Sequence, residues 1–107
     1  MRKYRTFSEA TEEYYLENPE EIEGFLKITF EEYAQDNDMG ALLSALRIVS
    51  RVKGISAIAK EIGITRQGLQ KALSTKGNPR LESITSIMQA LGYRLVPEKL
   101  PPSHLSH

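Results

Sequence analysis

The chain has 107 residues, of which 40% are apolar and 26% are charged, as expected for one globular domain with a single core. It contains no cysteine, which excludes disulfides and thiolate metal sites. No apolar run reaches the length of a membrane span, and the N-terminus lacks the apolar core of a signal peptide. We therefore expect a cytoplasmic protein.

The formal net charge is zero, but the charges are unevenly distributed along the chain. Residues 1–40 contain four basic and eleven acidic side chains, a formal charge of −7. Residues 41–107 contain ten basic and three acidic side chains, a formal charge of +7. The pattern predicts two faces with different partners, although a dipolar surface without a function would produce the same pattern.

The first helix is predicted to begin near residue 18. Residues 1–17 lack a clear period and are interpreted as an N-terminal arm. Asn18 is a helix-capping residue, Pro19 suits the first helical position, and Glu21 would complete a capping box. The apolar side chains that follow recur every three or four residues and predict a helix of about four turns; they are Ile22, Phe25, Leu26, Thr29, Phe30 and Tyr33.

Four further helices are predicted. Asp36-Asn37-Asp38 ends the first helix and caps a second one, which Gly54 closes. The buried face of this second helix comprises Leu42, Leu43, Leu46, Val49 and Val52. Two short helices, a turn and a last helix follow; they are residues 56–62, residues 65–74, Gly77-Asn78-Pro79, and residues 81–91 before Gly92.

The C-terminal residues after the last helix alternate between apolar and polar only briefly. Tyr93-Arg94-Leu95-Val96 predicts a short strand, which would either pair with its copy across a two-fold axis or pack on its own core. Residues 97–107 are expected to form a flexible tail. The fold class is therefore all-α: a five-helix domain over residues 18–96 with a short C-terminal strand.

Residues 55–74 have the pattern of a helix-turn-helix. This motif needs a small residue where the helices cross, which is Ala59, and an unstrained turn residue, which is Gly63. Thr65 is placed to cap the second helix, and Ile64 and Leu69 to form a hydrophobic staple. The apolar residues expected to fill the angle between the helices are Ile58, Ile62, Ile64, Leu69, Ala72 and Leu73.

The outward face of the second helix carries side chains suited to a DNA major groove. Arginine can pair with guanine, glutamine with adenine, and lysine with phosphate. No acidic residue lies between Ile62 and Leu81, so this stretch is positively charged. The same residue types also suit a solvated helix face. The predicted DNA-contacting residues are Ser56, Thr65, Arg66, Gln67, Gln70, Lys71 and Lys76.

Catalytic chemistry has little support in the sequence. The two histidines, His104 and His107, lie in the proline-rich tail, which is a poor frame for a metal site. The acidic pairs Glu20-Glu21 and Glu31-Glu32 suit helix caps and a solvated helix face. We expect no enzyme activity, no metal and no cofactor.

The chain resembles a known family along three segments. These are residues 59–74, Gly77-Asn78-Pro79-Arg80-Leu81, and Leu91-Gly92-Tyr93-Arg94-Leu95. They are similar to the HigA-type addiction module antidotes, or antitoxins, which form a branch of the lambda-repressor-like (Xre) helix-turn-helix proteins. The resemblance extends over about residues 14–96, including the helix that begins at Asn18-Pro19 and the one over residues 41–54; the basic N-terminal residues Arg2-Lys3-Tyr4-Arg5 depart from it.

The resemblance implies a homodimer that binds operator DNA and represses its own promoter. It also implies a partner, a small basic RelE/HigB-like toxin that cleaves mRNA and is neutralised by complex formation. A basic toxin would favour the acidic segment over residues 9–38, and charge reversal at Glu12, Glu13, Glu20 and Glu21 would test this. Two alternatives remain open: a free-standing phage-type regulator without a toxin, and a protein-interaction module that does not bind DNA.

Overall fold

The computed structural model describes residues 6–74 and 76–102, and these residues form an all-helical protein. There are six α-helices in the described residues, rather than the five predicted, and no strand. The elements are α1 (Phe7–Glu17), a 3₁₀ turn (Pro19–Glu21), α2 (Ile22–Asp36), α3 (Met39–Lys53), α4 (Ile55–Ile62), α5 (Arg66–Ala72) and α6 (Leu81–Leu91).

Helix α1 corrects the prediction of an arm over residues 1–17, as far as the structure describes that segment. The Thr6 hydroxyl accepts a hydrogen bond from the Glu9 backbone N–H (3.0 Å), and the Glu9 carboxylate accepts one from the Thr6 N–H (3.0 Å). This reciprocal capping box starts the helix. No residue of α1 is fully buried, so its sequence shows little periodicity. Residues 1–5 lie outside the described part of the chain.

The predicted capping box at Asn18 and Glu21 is wrong because Asn18 ends α1 instead of starting α2. Its side-chain amide donates to the Tyr14 carbonyl oxygen (2.9 Å), and it caps no following helix. The Glu21 carboxylate accepts a hydrogen bond from the Tyr14 hydroxyl (2.7 Å), and this bond raises the pKa of Tyr14. Both side chains therefore tie α1 to the turn that leads into α2.

Helix α3 lies at the centre of the core. Leu43, Leu46 and Val49 are completely buried, and α1, α2 and α4 all pack against this helix. The break before it is confirmed: Asn37 is left-handed (φ 55°), and the Asp38 carboxylate accepts a hydrogen bond from the Ala41 N–H (3.1 Å). The predicted apolar stripes of α2 and α3 thus face each other across the core.

The C-terminal strand predicted for Tyr93 to Val96 is absent from the described residues. Gly92 is left-handed (φ 99°) and closes α6, and the Tyr93 N–H donates back to the Met88 carbonyl oxygen (2.8 Å). Tyr93 and Leu95 pack on the core, and Arg94 and Val96 are exposed. The alternation therefore reflects a coil that follows its own core.

The N-terminal cap gives a test of whether α1 is an integral helix. Replacing Thr6 by alanine removes the hydroxyl that accepts from Glu9, so the free energy of unfolding should fall by about 1 kcal/mol. Thr6→Ser keeps the hydroxyl and should retain the stability of the parent chain. Urea denaturation followed by circular dichroism measures both variants, and equal stability of all three proteins would show that α1 unfolds separately.

Candidate nucleic-acid interface

Helices α4 and α5 are joined by a tight turn formed by Gly63, Ile64 and Thr65. Gly63 is left-handed (φ 82°), a conformation that costs glycine little. The N–H groups of Gly63 and Ile64 both donate to the Ala59 carbonyl oxygen, each at 3.0 Å. The turn therefore closes back on α4 and sets the direction in which α5 leaves.

The angle between the two helices is filled largely as predicted. Ala59 is buried where the helices pack, together with Ile58 from α4. Leu69 and Leu73 are completely buried from the side of α5. Ile64 differs from the prediction, because 43% of it remains exposed.

Thr65 caps α5, as its position in the sequence predicted. Its hydroxyl accepts a hydrogen bond from the Gly68 N–H (2.9 Å). A Cβ atom at residue 68 would lie 3.1 Å from that hydroxyl oxygen, so glycine leaves room for the cap. The hydroxyl is thus already engaged in holding the first turn of α5.

The outward side of α5 is polar. Leu69 and Leu73 are completely buried, and the helical period places Gln67 and Lys71 opposite them and Gln70 at the side. Arg66 lies three residues before Leu69 and is exposed at the first turn of the helix. All seven residues predicted to contact DNA are exposed. Four of them, Arg66, Gln67, Gln70 and Lys71, lie on α5; Thr65 caps it, Lys76 follows it, and Ser56 lies in the first turn of α4.

Positive charge dominates the described part of the chain around α5. Arg66 and Lys71 lie on the helix, and Lys76 and Arg80 lie on the segment that leads to α6. The first acidic residue after α5 is Glu82, whose carboxylate lies 3.7 Å from the guanidinium of Arg80 with both side chains largely exposed. Such an exposed pair is weak, so the basic character of this segment is little reduced.

Arg47, which the sequence analysis did not single out, holds the C-terminal end of α5. Its guanidinium projects from α3 and donates to the Leu73 carbonyl oxygen (2.6 Å) and to the Ser44 hydroxyl (3.3 Å). A cation here satisfies a carbonyl at the negative end of the α5 dipole. An arginine next to an apolar stripe usually faces solvent, so the periodicity gave no signal for this contact.

The loop after α5 is held close to the same helix end. The Gly77 N–H donates to the Ser74 carbonyl oxygen (2.8 Å). A Cβ atom at residue 77 would lie only 2.8 Å from the Ala72 carbonyl oxygen, which is a backbone atom that cannot easily move aside. Glycine is therefore required here by close approach, and Gly77, the first residue of the predicted turn, packs against the C-terminal end of α5.

Residues 6–74 and 76–102 contain neither a candidate metal site nor a candidate membrane span. No group of histidine and acidic side chains there is arranged to hold a metal ion. None of the described helices is both long and apolar enough to cross a membrane. His104 and His107 lie outside the part of the chain that the structure describes.

The class defined by these observations is an all-helical protein with a short, exposed, basic helix held at both ends. The chain belongs to the family described as probable addiction module antidote proteins, whose model matches residues 5–98. It is also similar to an uncharacterized protein of Haemophilus influenzae strain Rd, with 39% identity over 77 residues, which is 72% of this chain and 75% of that protein. No solved structure matches the chain.

Gly77→Ala tests the close packing of the loop against α5. The new methyl group would collide with the Ala72 carbonyl, so the free energy of unfolding should fall by about 1–3 kcal/mol. Gly24→Ala is the matched control: nothing lies within 4 Å of the added Cβ on the exposed face of α2, and stability should rise by up to about 1 kcal/mol. Equal effects of the two substitutions in thermal denaturation would contradict the close approach.

Proposed function

We propose that this protein is an antitoxin that also represses its own operon. It binds operator DNA through a helix-turn-helix made of α4 and α5. It neutralises a RelE/HigB-like toxin, an mRNA-cleaving protein, by forming a complex with it. The observation that carries the DNA-binding part is the set of exposed arginine, glutamine and lysine side chains on α5, a helix that Leu69 and Leu73 anchor in the core.

In this proposal α5 enters the major groove and its outward residues read base edges. Arg66 donates two hydrogen bonds to guanine, and Gln70 pairs with adenine, aided by Gln67. Lys71 and Lys76 neutralise phosphates and fix the position of the helix. The hydroxyl groups of Ser56 and Thr65 donate to flanking phosphates; Thr65 can do so while its oxygen accepts from the Gly68 N–H.

The contacts that fix the orientation of α5 favour a DNA-reading helix over an ordinary solvated surface helix. The helix has only seven residues, which is too short to be stable alone. It is nevertheless capped by Thr65, anchored by two buried leucines, and held at its last turn by Arg47. A reading helix requires such a fixed orientation, since bidentate base contacts depend on geometry.

Zero net charge does not oppose DNA binding by this chain. The screening length at physiological ionic strength is about 8 Å, so a phosphate responds to nearby charges. Residues 62–81 contain Arg66, Lys71, Lys76 and Arg80 and no acidic residue. The opposing acidic residues belong mainly to α1 and α2, at the other end of the sequence.

A homodimer is part of the proposal because operators of this type are read as two half-sites. Two copies of α5 would lie roughly 34 Å apart, one turn of DNA. A strand over residues 93–96 cannot form the interface, since those residues form a coil. Leu81 and Val96 instead offer apolar contacts, because they are 73% and 64% exposed.

Membership of an antidote family favours the antitoxin over the free-standing regulator. An antidote needs a partner to neutralise, so a toxin is part of the proposed function. A helix-turn-helix that had lost DNA binding would still fit the family name. DNA binding therefore needs its own experiment.

Substitutions on α5 should separate base reading from phosphate binding. Arg66→Ala and Gln70→Ala should each weaken specific binding by on the order of 1–3 kcal/mol and relax sequence preference, because each removes a contact to base edges. Lys71→Ala should weaken binding to all duplexes alike and reduce its salt dependence. Gel-shift titrations with the DNA upstream of the gene and with a random duplex measure these effects.

Lys27→Ala is the control, since Lys27 is an exposed lysine of α2 in the acidic half of the chain. Its removal should leave DNA affinity unchanged. A parent protein that binds upstream DNA no better than random duplex would contradict base reading by α5.

A further inference from the structure

An open apolar groove runs between α1, α2 and α3, at a distance in sequence from the basic helix. It encloses about 290 Å³. Phe25 and Tyr33 of α2 and Leu42, Ala45 and Ile48 of α3 line its floor and walls. Apolar clefts of this size accept one or two side chains of a partner, which is the usual form of an energetic centre in a protein interface.

Phe7, at the edge of this groove, is the most exposed large apolar side chain among the described residues. It is 84% exposed, although its backbone begins a well-capped helix. The contact between α1 and α3 does not depend on this ring, because little of the ring is covered. An exposed aromatic side chain beside an apolar cleft is typical of a residue that becomes buried on binding.

Acidic side chains form the polar rim of the same groove. Glu32, Asp36 and Asp38 line it, and no basic residue does. Two of these carboxylates are fixed in position: Asp36 accepts a hydrogen bond from the Asp38 N–H (2.9 Å), and Asp38 accepts one from the Ala41 N–H (3.1 Å). Residues 6–40 contain eleven acidic side chains and a single lysine, so the field around the groove is negative.

Glu12 and Glu21 are poor positions for a charge-reversal test, because both make contacts within the chain. Glu12 is paired with Arg51 of α3 (3.2 Å), and Glu21 accepts the Tyr14 hydroxyl. Reversing either charge would disturb contacts within the chain. Glu32 has no such contact among the described residues, and it lies on the groove.

We propose that this groove is the docking site for the toxin, and that the docked element is a basic segment carrying an apolar side chain. The apolar side chain enters the cleft beside Phe7, and flanking lysine or arginine residues pair with Glu32 and Asp36. A negative rim repels nucleic acid, so this face complements the basic surface around α5. This inference rests on the proposed antitoxin function and adds the site to it.

The test uses two groove variants, each with a matched control on the same helix. Phe7→Ala removes the exposed ring, and Leu16→Ala removes an exposed apolar side chain of α1 that does not line the groove. Glu32→Lys reverses a rim charge, and Glu31→Lys makes the same change on the neighbouring exposed residue, outside the groove. All four residues have exposed or largely exposed positions, so circular dichroism melts should stay close to that of the parent chain.

Each full-length variant is co-expressed with the protein encoded by the adjacent reading frame, and affinity is measured by titration of the purified partners. Phe7→Ala and Glu32→Lys should each weaken the complex by about tenfold or more. Glu32→Lys should also reduce the salt dependence of binding. Leu16→Ala and Glu31→Lys should bind as the parent chain does, and all variants should retain its affinity for upstream DNA.

The possible outcomes distinguish a failure of the groove as docking site from a failure of the proposed antitoxin function. A complex formed by the parent chain and equally well by both groove variants would overturn the groove and leave the antitoxin function standing. No complex with the parent chain would overturn both. A change from dimer to monomer in Phe7→Ala and Glu32→Lys, measured by analytical ultracentrifugation without the partner, would assign the groove to a second copy of this chain and overturn the proposal.

Discussion

The burial of α3 is the constraint on which the rest of the structure depends. Its leucine side chains and Val49 are buried, and α1, α2 and α4 all pack against it. Gly54 ends α3 and is also the residue before α4, so the end of α3 fixes where α4 begins. Arg47 of α3 also fixes the position of α5, because its guanidinium donates a hydrogen bond to the Leu73 carbonyl oxygen. The orientation of α5 is therefore set from the core, although α5 itself is short and its outer face is exposed.

The charges of the chain are divided between the helices before and after α3. The acidic residues belong mainly to α1 and α2, on one side of α3 in sequence, and the basic residues mainly follow it. A helix that must approach phosphates and a groove that must attract a basic protein would interfere if they shared a surface. In the proposal, different helices form the acidic groove and the basic segment, so that a small domain with no net charge can present both.

The sequence predicted the elements that depend on local chemistry. The predicted roles are confirmed for the glycines at residues 54, 63 and 92, the caps Asp38 and Thr65, and the apolar stripes of α2 and α3.

The predictions from sequence were wrong where contacts between different elements determine the structure. Helix α1 buries no residue completely and so has no clear period, and Tyr93 to Val96 alternates because it follows the core. Asn18 was assigned to the wrong helix because either neighbour can use a capping side chain. The contact of Arg47 with Leu73 joins residues that are 26 apart in the chain, and no local pattern indicates such a contact.

The central claim is that one chain binds DNA and a toxin through different surfaces, and a ternary complex tests it most directly. Upstream DNA saturated with this protein is titrated with the product of the adjacent reading frame, and the complex is followed by gel shift and analytical ultracentrifugation. The account predicts a larger complex that contains DNA and both proteins. Release of the DNA in proportion to added toxin would contradict it, since the two partners would then compete for one surface.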